Sequence, residues 1–476
     1  MEFLSRYRVK INKYECPKLN AAFYKHSFLQ AMRKLHSTVQ PHFWRICTGD
    51  FPIKIERKMS DLAIDAMDFS ALPEETAGKL EWLGSFGKDA KGGVSRLLYS
   101  KEWVEAQHAL KEWMESFGLS ARFDEVGNLF GTLKGKDESE TILTGSHVDS
   151  VVNGGKYDGA YGVIAGIIAI KYLKETYGEP LRNIEIVSMA EEEGSRFPYA
   201  FWGSKNIVGS AKREEVESIS DFEGVPFVDA MKNAGFGFRD ESKGPREDLK
   251  AFVEVHVEQG SVLETEKKSV AVVNSIVGQR RYTIEISGEA NHAGTTPMGY
   301  RKDAMYAASH MIYEIINMAK EVGDPLVTTV GKVEVTPNIV NVVPGKALFT
   351  IDVRHTDKDS IVSFTESMTA RMNEISKEHG VETDIDMWMD ADPVPMDKNV
   401  VELIEKQCEE NGLNYKVMHS GAGHDSQIFA PFVPTAMLFV PSLKGISHNP
   451  AEFTEPADLA EGVKALIGAL YELGYK

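Results

Sequence analysis

The sequence predicts an α/β fold: a mainly parallel sheet with helices on its faces, interrupted by an inserted ferredoxin-like βαββαβ unit. Three observations carry this expectation. Short apolar runs ending in polar residues alternate with helical patterns from about residue 100 to 258, the rhythm of strand–helix–strand crossovers. A middle stretch alternates polar and apolar residues and reads in the order β-α-β-β-α-β. The apolar-run pattern then returns in "PTAMLFV" at 434–440.

Taken in order, "SKEWVEAQHALKEWMESFG" (100–118) has helical apolar spacing and a terminal glycine stop. "ETILTGSHVDS" is a short buried strand ending in polar residues. "DGAYGVIAGIIAIKYLKETYG" (158–178) is a helix starting near Asp158 and stopping at Gly178. "NIEIVSMA" and "AFVEVHVE" are further strands of the buried kind. In the middle, "RYTIEISGEA" (281–290) is a half-exposed strand and 303–322 a helix. Two strands, "TTVGKVEV" and "ALFTIDVR", a helix over 359–379 and the strand "VETDIDMWM" complete the unit. The inserted domain is therefore placed at 276–391, with the larger domain at 68–275 and 392–476.

With 476 residues, 42% hydrophobic and 26% charged, the chain has the make-up of a two-domain globular protein. A net charge of −18 argues against nucleic acid and anionic membrane surfaces as partners. The longest apolar run, "GVIAGIIAI" at 162–170, falls far short of a membrane span. Cys16, Cys47 and Cys408 form no CxxC pair, which excludes a disulfide framework or a thiolate zinc site and fits a reducing compartment. Residues 1–67 read as a basic extension: the first 58 carry 12 Lys/Arg against 4 acids, about +8, leaving −26 for the rest. This leader lacks an apolar h-region and a small-residue cleavage site, and it is expected to be disordered or not native.

Chemistry-bearing residues gather where strands of the larger domain end: His147 and Asp149, Asp158, Glu191 to Glu193, His256 with Glu258 and Gln259, and His448. Open α/β sheets bind ligands outside the carboxyl ends of their strands. Singly, each has a plain structural role available: a hydrogen-bonded histidine, a helix N-cap at Asp158, a solvated acidic turn at 191–193. Jointly, three imidazoles and several carboxylates suit a divalent cation.

The motifs "GSHVDSVVNGGKYDG", "EEEGSRFPYAFWGSKNI", "VEVHVEQGSVLE", "GQRRYTIEISGEANHAGTTPMGYRKDA", "PNIVNVVPGKALFTIDVRHTD" and "SGAGHDSQIFAP" resemble the M20 metallopeptidase-like amidohydrolases. Within them, they resemble the allantoate and N-carbamoyl-amino-acid hydrolase branch. The resemblance implies two divalent ions per subunit, Mn2+ or Zn2+. His147 and His256 would serve one, Glu193 and His448 the other, and Asp158 both, with Asp149 orienting His147. Glu192 would be the general base, leaving Glu191 as a spare, structural or solvated carboxylate.

The resemblance further implies that His292, in "NHAGTTPM", stabilises the oxyanion from a neighbouring subunit, so an active homodimer is expected. Arg354 and Asn341 match the family's substrate-binding residues, and an Arg fork suits a carboxylate. Gln259, Gln279 and His424 are further substrate-binding candidates. The implied reaction is hydrolysis of a ureido C–N bond in a small anionic substrate, allantoate first, in a cytoplasmic enzyme of purine-nitrogen salvage. N-carbamoyl-L-amino-acid or β-ureidopropionate hydrolysis is the alternative.

Overall fold

The computed structural model describes residues 67–240 and 244–476. The basic leader, with Cys16 and Cys47, lies outside the described residues apart from Met67.

The larger sheet is built around strands buried on both faces. β3 (Asp137–His147), β4 (Arg182–Met189), β5 (Leu249–Val257) and β16 (Thr435–Val440) run parallel in the order β4-β3-β5-β16. All six residues of β16 and the last seven of β3 are buried. Such strands need continuous apolar runs, not alternation. The rims are antiparallel. β1 (Ser120–Phe123) and β2 (Leu129–Leu133) extend the sheet beyond β4. β6 (Val270–Ile276) joins β16 antiparallel and carries β14 (Val394–Pro395) and β15 (Tyr415–Ser420).

The helices expected to flank this sheet are present. α1 (Lys101–Ser116) is N-capped by Ser100, whose side chain accepts the Trp103 N–H. α2 (Ala160–Tyr177) lies so close to the sheet that a Cβ on Gly162 would sit 2.4 Å from the Val255 carbonyl oxygen. That close approach sets the helix start, and Asp158 just before it, over the ends of β3 and β5.

The chain leaves the larger sheet after β6 and returns at β14, which pairs with β6. Between them β7 (Gly278–Ser287), β9 (Val327–Thr329), β10 (Val333–Thr336), β12 (Lys346–His355) and β13 (Glu382–Ala391) form a five-stranded antiparallel sheet. The segment "TTVGKVEV", expected as one strand, is two: β9 pairs with Asp352–Arg354 and β10 with Lys346–Phe349. A short ribbon of β8 (Asn291–His292) and β11 (Val342–Val343) lies apart from it.

Two helices cover this second sheet. α3 (Ala304–Val322) buries Ala304, Ala307, Met311 and Ile315, an i, i+3, i+7, i+11 stripe. α4 (Lys358–His379) buries Ile361, Phe364, Met368 and Met372. These pack with Ile284, Phe349, Ile351 and Val353 in an apolar core of their own. Both helices begin at an aspartate cap, Asp303 and Asp357, and α4 ends at Gly380 with φ +62°, the chemistry that fixes helix ends.

Candidate metal centre

The predicted ligands converge at the carboxyl ends of the parallel strands. β3 ends on His147, β5 carries His256 at its last turn of chain, and the turn after β4 holds Glu191 to Glu193. Asp158 occupies the centre. Its Oδ1 lies 3.1 Å from His256 Nε2 and 3.7 Å from His147 Nε2, and its Oδ2 lies 3.2 Å from His448 Nε2. Glu193 Oε2 is 3.5 Å from the same His448 nitrogen. Two donor triads result, His147/Asp158/His256 and Asp158/Glu193/His448, each with its ligand atoms within 4.8 Å of one another.

The histidines are oriented for this. His147 Nδ1 sits 3.1 Å from the Asp149 carbonyl, and His256 Nδ1 sits 2.8 Å from the Val257 carbonyl. A carbonyl can only accept, so each Nδ1 carries a proton and Nε2, which faces Asp158, is the ring nitrogen left for a cation. Gly159 makes the approach possible. Its φ is +61°, and a Cβ there would lie 2.3 Å from His147 Nε2.

Asp149 does more than orient His147, whose Nδ1 is 3.4 Å from its carboxylate. The same carboxylate accepts the backbone N–H groups of Glu192 and Glu193, and so shapes the turn that presents both. Glu192 Oε2 lies 3.8 Å from His147 Nε2. Of the two alternatives for Glu191, structural or solvated, the structure gives the first: it is 1% exposed and accepts the Gly194 N–H at 2.7 Å.

The electrostatics show what the cluster lacks on its own. Burial pushes Glu192 well above the ordinary carboxylate range, His147 offsets part of this, and Glu193 adds to it. Burial and Asp158 raise Glu193 to about 7. The hydrogen bond to Asp158 raises His448 to about 9. Burial opposes charge on Asp158, yet His256 and His448 hold it well below its usual value. Protons thus stand where cations would neutralise the carboxylates, and the donor set fits two divalent ions sharing Asp158.

The substrate-side candidates divide. Gln259 joins the centre, its Nε2 donating to Asp158 Oδ2 at 2.8 Å. His424 is buried with its ring 4.6 Å from that of His256, and its Nε2 is 3.0 Å from Ser420 Oγ. Arg354 and Gln279 are cross-strand neighbours on β12 and β7. The Arg354 fork already holds Asp352, through Nε at 2.9 Å and Nη2 at 3.0 Å, while Nη1 donates to the Gly421 carbonyl. Arg354 and Asp352 border a groove of about 560 Å3 that Arg281, Trp388 and His419 also line. His292 and Asn341 lie exposed on the β8–β11 ribbon and its approach, where Ala293 N–H donates to the Asn341 carbonyl. The His292 ring bonds within its own loop, Nδ1 accepting the Gly294 N–H.

Three buried acids that support the site did not stand out in the sequence. Glu452 accepts the N–H groups of Tyr157 and Asp158 and the Ser447 hydroxyl. Ser447 in turn donates to Asp158 Oδ2. Glu254 binds Ser146 on β3 and Ser426 beyond β15. Asp425, next to Ser426 in the chain, is raised to about 8 by burial and Glu254. A glutamate inside the apolar run "AFVEVHV" was the available signal for Glu254. Glu258, grouped with the site by sequence, instead accepts the N–H groups of Val262 and Leu263.

The same architecture occurs in known proteins. Residues 143–472 match the sequence profile of peptidase family M20/M25/M40. An allantoate amidohydrolase from Escherichia coli (strain K12) is 57% identical over 404 residues, covering 85% of this chain and 98% of that protein. One from Bacillus subtilis (strain 168) is 47% identical over 397 residues, covering 83% and 96%. The crystal structure of a hydantoinase/carbamoylase family amidase from Burkholderia multivorans superposes with a TM-score of 0.80 at 32% identity, covering 85% of this chain and 98% of that one. A profile match over residues 143–472 and a relative aligned over 98% of its own length leave one conclusion: the chain belongs to peptidase family M20/M25/M40.

Proposed function

We propose that the protein is a metal-dependent allantoate amidohydrolase, which cleaves one ureido C–N bond of allantoate to give ureidoglycine, ammonia and carbon dioxide. One observation carries the chemistry: Asp158 turns one oxygen to His147 and His256 and the other to His448, with Glu192 alongside. The allantoate amidohydrolases that align over 85% and 83% of this chain support the choice of substrate.

In this reading His147 and His256 would hold one divalent ion, Glu193 and His448 a second, and Asp158 both; manganese and zinc each suit these donors. When bound, such a pair lowers the pKa of a water and polarises a carbonyl oxygen. Glu192 takes the water proton on its carboxylate and returns it to the departing nitrogen. Burial raises its proton affinity, which suits a proton acceptor once nearby positive charge keeps it ionised. Asp149 fixes both partners at once, through His147 Nδ1 and the Glu192 and Glu193 N–H groups.

The substrate carboxylate is assigned to Arg354 and Gln279, neighbours across β12 and β7, with Asn341 contributing. Gln259 and His424, beside Asp158 and His256, are assigned to the ureido end. Residues 276–391 act as a lid and dimerisation domain in this account. His292, exposed on its ribbon, reaches the oxyanion of the partner's substrate in a homodimer. A cytoplasmic location completes the reading, supported by the buried free thiol of Cys408.

Ammonia release from allantoate, N-carbamoyl-β-alanine and N-carbamoyl-L-amino acids tests the substrate assignment. Allantoate is expected to give the highest kcat/KM; turnover of the carbamoyl compounds without ammonia from allantoate would overturn it.

A further inference from the structure

A second group of metal-type donors lies between α3 and α4, far along the chain from the strand ends. His310 Nδ1, on α3, is 3.0 Å from His379 Nε2, at the end of α4. Glu378 Oε2 is 4.0 Å from the same His310 nitrogen. The three donor atoms lie within 4.8 Å of one another. Nitrogen and oxygen ligands about 2.1 Å from a tetrahedral cation sit about 3.4 Å apart, so the observed separations bracket that geometry.

The surroundings favour a cation. His310 Nε2, its other nitrogen, faces Glu314 Oε1 one turn further along α3 at 3.9 Å, the carboxylate partner that metal-bound imidazoles commonly have. Arg371 holds Glu378 Oε1 at 3.0 Å and Glu314 Oε2 at 3.3 Å, leaving Glu378 Oε2 turned to His310. His379 is the last residue of α4, where unsatisfied helix carbonyls attract positive charge. Two imidazole nitrogens at hydrogen-bond distance can share only one proton, and a cation can take both lone pairs. His310 and His379 are half-buried and Glu378 is exposed, so ions can enter from solvent.

We propose that His310, Glu378 and His379 form an accessory divalent-cation site of the zinc class, separate from the catalytic centre, that fastens the last turn of α4 to α3. Nothing in the catalytic assignment depends on it, and its failure would leave that assignment intact.

The test is zinc content of the full-length protein after equilibration with Zn2+ and removal of free ion. The wild type is expected to retain one more zinc per chain than His310→Ala/His379→Ala, with allantoate turnover unchanged in that variant. Zinc is also expected to raise the thermal midpoint of the wild type more than that of the variant. A reciprocal variant, His256→Ala/His448→Ala, removes catalytic ligands and should still bind one zinc, which is lost when His379→Gln is added. Equal zinc content in wild type and His310→Ala/His379→Ala overturns the proposal, as does a reciprocal variant that binds none.

Discussion

The Asp149 carboxylate accepts the backbone N–H of Glu192 on both oxygens, at 3.2 Å each. It also accepts the Glu193 N–H at 3.1 Å and stands 3.4 Å from His147 Nδ1. One side chain therefore fixes the proposed ligand His147 and the turn that carries Glu192, the proposed base, and Glu193. Asp149→Ala is expected to lower metal affinity by about 10–100-fold and kcat/KM by at least about 100-fold. Asp149→Asn, which keeps an acceptor but loses charge, should fall between. Metal content and steady-state kinetics on the two variants check this; equal effects on both would show that charge, not turn geometry, governs the site.

Glu191 offers a sharper contrast. Burial and the adjacent Asp149 push its carboxyl well above the ordinary range, so it is held protonated while accepting the Gly194 N–H. Glu191→Gln preserves the acceptor for the Gly194 N–H, and it is expected to destabilise less than Glu191→Ala. Glu191→Ala strands a buried N–H, which costs about 1–3 kcal/mol, before any cavity is counted. Urea denaturation of both variants measures the difference.

How far this site was legible depended on where each partner lies. Strands β3, β4, β5 and β16 were readable because burial on both faces leaves uninterrupted apolar runs, and their polar endings marked His147, Glu192, Glu193 and His256. The helices expected at 303–322 and 359–379 start where Asp303 and Asp357 cap α3 and α4, because capping is local chemistry. Glu254 stood out as an acid in an apolar run, but its role was hidden, since its partners Ser146 and Ser426 are 108 and 172 residues away. Glu452, whose contacts at Tyr157 and Asp158 are 295 and 294 residues distant, was hidden for the same reason. The break between β9 and β10 was missed because two separate registers on β12 set it, and no propensity encodes register.

Metal binding should release protons. Without cations Glu193 titrates at about 7 and His448 at about 9, and both must be deprotonated to act as ligands. Affinity is therefore expected to climb as pH rises through 7 to 9 and to level off above that, since the competing protons are gone. Calorimetric titration of stripped protein with Mn2+ at pH 7.5, in buffers of different ionisation enthalpy, should show net proton release, at least about one per chain. Binding with no proton release would contradict these protonation states.

Arg354 tests the substrate assignment from the other end. Its fork is paired with Asp352 and the Gly421 carbonyl, so binding a carboxylate means exchanging one of these contacts. Lysine keeps the charge but cannot bind bidentately. Arg354→Lys is expected to raise KM for allantoate about 10-fold or more, the loss of about 1.5–3 kcal/mol for a charged hydrogen bond, with a smaller change in kcat. Unchanged KM would place the carboxylate elsewhere.

The central claim is that ions held through Asp158 drive hydrolysis of a ureido bond. The most direct measurement is ammonia release from allantoate by full-length protein that has been stripped of metal and then titrated with Mn2+ or Zn2+. The account predicts activity lost on stripping and regained as the metal content reaches two ions per chain, with Glu192→Gln regaining metal but not activity. Full turnover by stripped protein, or by metal-loaded Glu192→Gln, would contradict it.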